Sequence, residues 1–173
     1  MRQEQAFLEA FDQHADALYR HAFFRVSDPE KARDIVSDTF TRTWDYLVKG
    51  KEVDDFRPFL YRTLNHLIID EYRKKRTESL DALLDDAEVP EGAFDELVEG
   101  SQEATEFALD AKQVHELLDE IPEHYRVVVV MRYFDGLLPA EIAEVLKESV
   151  NTISVRIHRG VALLQKHAAD KNL

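Results

Sequence analysis

Cysteine is absent from this chain of 173 residues. That excludes a disulfide framework and a thiolate metal site, and it fits a reducing compartment. Glycine and proline are scarce, five of each, so the repeated turns of a β-rich fold have little to build them. No apolar run approaches the ~20 residues that a membrane-spanning helix needs. Met1 to Ala10 carries acids and lacks a long apolar stretch, so no secretory signal and a cytoplasmic location are expected. The most informative absence is local. Residues 77–110 hold twelve acidic residues and no Lys or Arg. A net charge of −13 argues against a nucleic-acid binder, yet most of the excess lies in this one segment. Residues 1–76 carry 14 basic and 14 acidic residues, and residues 111–173 carry 8 and 9. Each flank is therefore judged by itself.

What remains is 45% hydrophobic and 33% charged, a composition suited to helices with one apolar and one solvated face. An all-α chain is expected. Phe7, Phe11, Ala15, Leu18, Ala22 and Val26 recur at helical spacing and predict a helix over roughly 4–26. Asp28-Pro29-Glu30 is a helix start: an N-cap Asp, Pro at the first helical position, an acid in the first turn. The helix it opens turns Ala32, Ile35, Val36, Phe40, Thr43 and Leu47 inward and ends at Lys49-Gly50-Lys51. Asp54-Asp55 opens a third helix to about Arg76, with Phe56, Leu60, Leu64, Leu67 and Ile68 inward and Arg62, Asn65, His66, Ile69 and Arg73 opposite. Three such helices enclose one core. The acidic run reads as a linker, with a short helix near Glu103–Leu109 and with Leu80, Leu83, Leu84, Phe94 and Leu97 as apolar docking points. Helical spacing resumes at Val114, Leu117, Leu118 and Ile121. Val127 to Val130 favours a strand by propensity, but no partner strand is evident, so a helix is expected there too.

From Pro139 to about Lys166, a short helix, a tight turn and a longer amphipathic helix describe a helix-turn-helix. The second helix is expected to bury Val150, Ile153, Ile157 and Val161 and to expose Asn151, Thr152, Ser154, Val155, Arg156, His158 and Arg159. Small polar residues approach a DNA groove closely, and arginines reach guanine edges or phosphates. A plain helical hairpin with a solvated face fits the same spacing. Arg73-Lys74-Lys75-Arg76, with Arg62, Asn65 and His66 and the aromatics Tyr61 and Tyr72, forms a ridge able to contact phosphates and stack on bases. Taken alone, the motif is better accounted for by a basic helix end complementing the helix dipole. Asp34, Asp38, Thr41, Arg42 and Asp45 make one outer face of the second helix, a docking surface or a solvated one. The seven His show no metal-ligand spacing, and no glycine-rich phosphate loop is present. No catalytic residue, metal or cofactor is expected.

Three segments taken in order carry a resemblance: DPEKARDIVSDTFTRTW (28–44), FRPFLYRTLNHLIIDEYRKKR (56–76) and IPEHYRVVVVMRYFDGLLPAEIAEVLKESVNTISVRIHRGVALLQ (121–165). Together they resemble the bacterial RNA polymerase sigma factors of the small two-domain extracytoplasmic-function (ECF) group. The resemblance implies an N-terminal helical domain over 1–76, an acidic linker over 77–110 and a C-terminal helix-turn-helix domain over 111–173. It implies docking on core RNA polymerase through Asp34, Asp38, Phe40 and Trp44. It further implies recognition and melting of the promoter −10 element by Arg62, Asn65, His66, Asp70, Arg73 and Lys74. Asn151, Thr152, Ser154, Val155, Arg156, His158 and Arg159 would read the −35 element. The linker would thread the polymerase's basic RNA exit channel, and an anti-sigma partner is implied by the family alone.

This chain departs from the family's pattern in four places. His66 stands where Asn is common, with Asn65 one position earlier, and Phe59 replaces a common Trp. Leu138-Pro139 replaces the usual Ser N-cap. Lys147-Glu148 stands where Gly is common, from which a slightly different turn is expected. Two other readings remain: a helix-turn-helix regulator that binds DNA without polymerase, and a pure interaction protein.

Overall fold

The computed structural model describes residues 2–81 and 102–172, and each regular element among them is a helix. The helices are α1 (Arg2–Val26), α2 (Pro29–Val48), α3 (Phe56–Asp81), α4 (Gln102–Asp119), α5 (Glu123–Val129), α6 (Pro139–Leu146) and α7 (Val150–Asp170). A one-turn π segment, Val130–Phe134, continues α5. The chain forms two compact units, Met1–Val89 and Pro90–Leu173. Leu83, Leu84, Phe94 and Leu97, and with them the centre of the expected linker, lie outside the described residues.

In the first unit α1, α2 and α3 pack around one core. Ser27 takes the left-handed conformation (φ 58°), and its N–H donates to Phe23 O at 2.9 Å, closing α1. Asp28 then caps α2 as expected: its Oδ1 accepts from Glu30 N–H at 3.0 Å and Lys31 N–H at 3.1 Å, with Pro29 at the first helical position. Asp55 Oδ1 accepts from Arg57 N–H at 3.0 Å at the start of α3. Helix α3 runs five residues past the expected end at Arg76. Leu18, Phe23, Leu60, Tyr61, Leu64 and Ile68 are fully buried. Truncating one of these leucines to Ala costs about 2–5 kcal/mol. Two buried threonines in α2 satisfy themselves: Thr39 Oγ1 donates to Ile35 O at 2.8 Å and Thr43 Oγ1 to Thr39 O at 2.7 Å.

In the second unit the short helix expected near 103–109 and the stripe at 114–121 belong largely to one helix, α4. The valine run is helical. Val127, Val128, Val129 and Val130 are all buried, so this turn of the helix is enclosed on every side and tertiary burial overrides strand propensity. Where it widens into the π segment, Asp135 N–H donates to Val130 O at 3.1 Å. That extra residue per turn leaves Val130 and Met131 inside and turns Tyr133 and Phe134 out. Helix α7 crosses α5 at Gly160, which is buried. A Cβ there would lie 2.7 Å from Val129 Cγ2. Gly160 and Ile153 are the two buried residues of α7. Val150, expected inward, is the first residue of α7 and is 48% exposed.

Candidate functional site

The outer face of α2 presents Asp34, Asp38, Thr41, Arg42 and Asp45 to solvent. Trp44 is partly exposed and leans on Phe7, ring centroids 5.2 Å apart. Phe40 corrects the expectation of an accessible contact. It is 5% exposed and packs against Phe11 and Phe7 at centroid distances of 4.7 and 6.0 Å. Its position on the apolar stripe commits it to the core.

Helix α3 sorts the expected ridge in two. His66, Arg73, Lys74 and Arg76 are exposed, and Arg62 and Asp70 are half-buried. Arg73 Nη1 lies 3.7 Å from Asp70 Oδ1. Asn65 is not on the outer face. It is 6% exposed, and its Oδ1 accepts from the buried guanidinium of Arg25 at 2.7 Å. That guanidinium also lies 3.3 Å from His21 Nε2. Neither aromatic is presented for stacking. Tyr61 is buried edge-on to His21, and the half-buried Tyr72 donates its hydroxyl to Arg25 O at 2.7 Å. With Lys75 Nζ 3.5 Å from Val26 O, these bonds moor the second half of α3 to the end of α1. Sequence reasoning missed Arg25. The available signal was its register, seven residues after Leu18 and three after Ala22 on the inward stripe of α1.

The two faces meet. Asp34, Asp38 and Arg42 from α2 and Asp70, Arg73 and Lys74 from α3 line one polar cleft of about 600 Å³. Lys31 and Glu71 pair at 2.8 Å along the same cleft. That hydrogen bond to Glu71 holds the Lys31 ammonium above its usual pKa.

The helix-turn-helix of α6 and α7 forms the third face. Leu138 has no acceptor to cap α6. Glu141 Oε2 instead accepts Leu138 N–H at 2.6 Å, half of a capping box, and Pro139 stands at the first helical position. Lys147 adopts φ 54°, ψ 44°. The turn therefore keeps the left-handed geometry that favours Gly, contrary to the altered turn expected, and a lysine bears the strain. Ser149 caps α7, its Oγ accepting Thr152 N–H at 3.1 Å, a start signal the sequence reading passed over. Asn151, Ser154, Val155, His158 and Arg159 are exposed, and Thr152 is half-buried against its cap. Arg156 is half-buried too, with its Nη2 3.1 Å from Glu148 Oε1. The structure thus gathers all seven expected reading residues on the first turns of α7.

Residues 10–78 match the sigma-70 region 2 family and residues 111–164 match sigma-70 region 4. The chain belongs to the ECF group of RNA polymerase sigma factors. It is 29% identical over 176 residues to the ECF RNA polymerase sigma factor SigW of Bacillus subtilis, covering 96% of this chain and 91% of the relative. Against RNA polymerase sigma factor SigV of the same species it is 27% identical over 161 residues, covering 92% and 89%. The sigma factor RpoE of Bartonella quintana, solved with the anti-sigma factor NepR, shares the fold at a TM-score of 0.77 and 20% identity, covering 94% of this chain and 96% of that one. In this sigma factor the α2 and α3 faces fall inside the region 2 match, and the reading turns of α7 fall inside the region 4 match. No described helix is long and apolar enough to cross a membrane.

Proposed function

We infer that this sigma factor binds core RNA polymerase and directs it to specific promoters, as a transcription initiation factor that performs no catalysis of its own. The observation that carries this reading is the pairing, in order, of a region 2 match and a region 4 match on two helical units. A lone helix-turn-helix regulator would leave the match over residues 10–78 without a purpose.

Within that reading, Asp34, Asp38 and Trp44 contact the polymerase. His66, Arg73 and Lys74, with Arg62, engage the −10 element, and the α7 face reads the −35 element. Phe40 and Asn65 support these faces from within. Charge supports the division of labour. The 111–173 segment has 8 basic and 9 acidic residues, so it holds DNA weakly by itself. Polymerase supplies the bulk affinity, and two tethered weak contacts supply selection through effective concentration. The work is done where polymerase meets the chromosome, in the cytoplasm.

A binding pair of experiments tests this. The full chain is expected to co-elute with core polymerase, and to shift promoter DNA only when core is present. Promoter-specific shift by the chain alone, without core binding, would support the lone regulator instead.

A further inference from the structure

Glu148 sits in the turn immediately before the N-cap Ser149, and Arg156 lies eight residues on, two helical turns along α7. Their contact, 3.1 Å between Glu148 Oε1 and Arg156 Nη2, folds the guanidinium back toward the N-terminal end of α7. That end of a recognition helix is the part that enters a major groove. We propose that Glu148 is a positioning residue for DNA reading: it holds Arg156 toward a base edge and keeps it off the phosphate backbone. The proposal deepens the assignment of α7 as the −35 reader and rests on it.

Three observations support a positioning role over an incidental surface pair. First, the pair is not fully solvated: the side chains are 26% and 38% exposed, and Arg156 is the less exposed of the two arginines on this face. Second, Glu148 is anchored at its base. Its N–H donates to Ala143 O at 3.0 Å, behind the left-handed Lys147, so the carboxylate is presented from a fixed turn. Third, the contact runs through Nη2, and a guanidinium has five donors in a rigid fork. One is spent on the carboxylate, and an edge of the fork remains for O6 and N7 of a guanine, the usual bidentate partner of Arg. A carboxylate here also repels phosphates, so it raises selectivity while lowering bulk affinity.

That combination gives a signature that loss of structure cannot imitate. In full chain assembled with core polymerase, Arg156→Ala identifies the base pair that Arg156 reads by flattening discrimination in a panel of −35 substitutions. A bidentate contact is worth roughly 5–150-fold at that pair. Glu148→Ala is then expected to cut discrimination at that same pair several-fold. Its affinity for non-cognate DNA is expected to rise, with the salt slope steepening by about 0.9, one additional phosphate contact. Glu148→Asp, which keeps the charge on a shorter arm, should restore part of the discrimination. The proposal is overturned if Glu148→Ala leaves discrimination unchanged, or if it lowers cognate and non-cognate affinity together. If Arg156→Ala flattens no pair while Ser154 or Arg159 variants do, α7 reads DNA without this arginine and Glu148 has no positioning role. If no α7 variant alters any preference, the assignment of α7 itself fails.

Discussion

Arg25 donates to Asn65 across 2.7 Å inside the first unit, joining the last turn of α1 to the middle of α3. Both residues are buried, at 3% and 6% exposure. This bond, together with Tyr72 on Arg25 O, fixes the helix that carries His66, Arg73 and Lys74. It makes Asn65 an internal support of this helix, and on the proposed reading His66, its exposed neighbour, is the residue that meets the −10 element.

Asn65 variants separate support from reading. Asn65→Asp keeps an acceptor for Arg25 and should preserve both stability and −10 base preference. Asn65→Leu removes it, and losing a hydrogen bond to a buried charged group costs about 1.5–3 kcal/mol. Denaturant unfolding measures the cost, and transcription from −10 base variants measures the preference. A changed base preference in Asn65→Asp would return Asn65 to the reading face.

Charge reversals should divide the two walls of the cleft between α2 and α3. Asp34→Lys with Asp38→Lys is expected to weaken core polymerase binding at least tenfold, since each reversal opposes a charge-complementary contact. Arg73→Glu with Lys74→Glu should leave core binding near wild type and block promoter opening. Co-elution with core and permanganate reactivity of the melted strand report the two steps. Identical defects in both double variants would contradict the division of roles.

Lys147 bears strain that a glycine would not. At φ 54° an L side chain costs roughly 1–2 kcal/mol, and glycine returns about 0.5–1 kcal/mol of that through its freer unfolded chain. Lys147→Gly should therefore stabilise the chain by up to about 1 kcal/mol. Thermal unfolding tests it, and a lowered midpoint would mean that the Lys147 side chain makes a compensating contact.

Gly160 should tolerate no side chain. A Cβ would stand 2.7 Å from Val129 Cγ2 and 3.3 Å from Tyr125 Cβ, and a helical valine has one strongly preferred rotamer. Overpacking of this kind costs about 1–3 kcal/mol, which exceeds the gain of about 1 kcal/mol in helix propensity. Gly160→Ala is expected to lower stability and, by shifting α7, to weaken transcription from −35-dependent promoters.

Helix periodicity and caps made most of the fold legible. Asp28-Pro29, Lys49-Gly50 and the inward stripes of α2 and α3 are local signals, and they lie where the sequence places them. What was not legible depended on distant partners or on stripe edges. Helical spacing places Asn65 on the face opposite the stripe, but its bond to Arg25, forty residues away in sequence, holds it inside. Phe40 was read both as core and as a contact, and packing against Phe7 and Phe11 decides for the core. Lys147 in a glycine conformation cannot be read from composition, because lysine gives no turn signal. The Glu148–Arg156 pair spans a turn whose geometry had first to be known.

Mapping transcription starts tests the central claim most directly. Core polymerase with the full chain, on a library of promoter fragments, should initiate at a defined set of sites. Those sites should share two upstream elements that core alone ignores. Start sites unchanged from those of core alone, with the chain folded and in excess, would contradict the account.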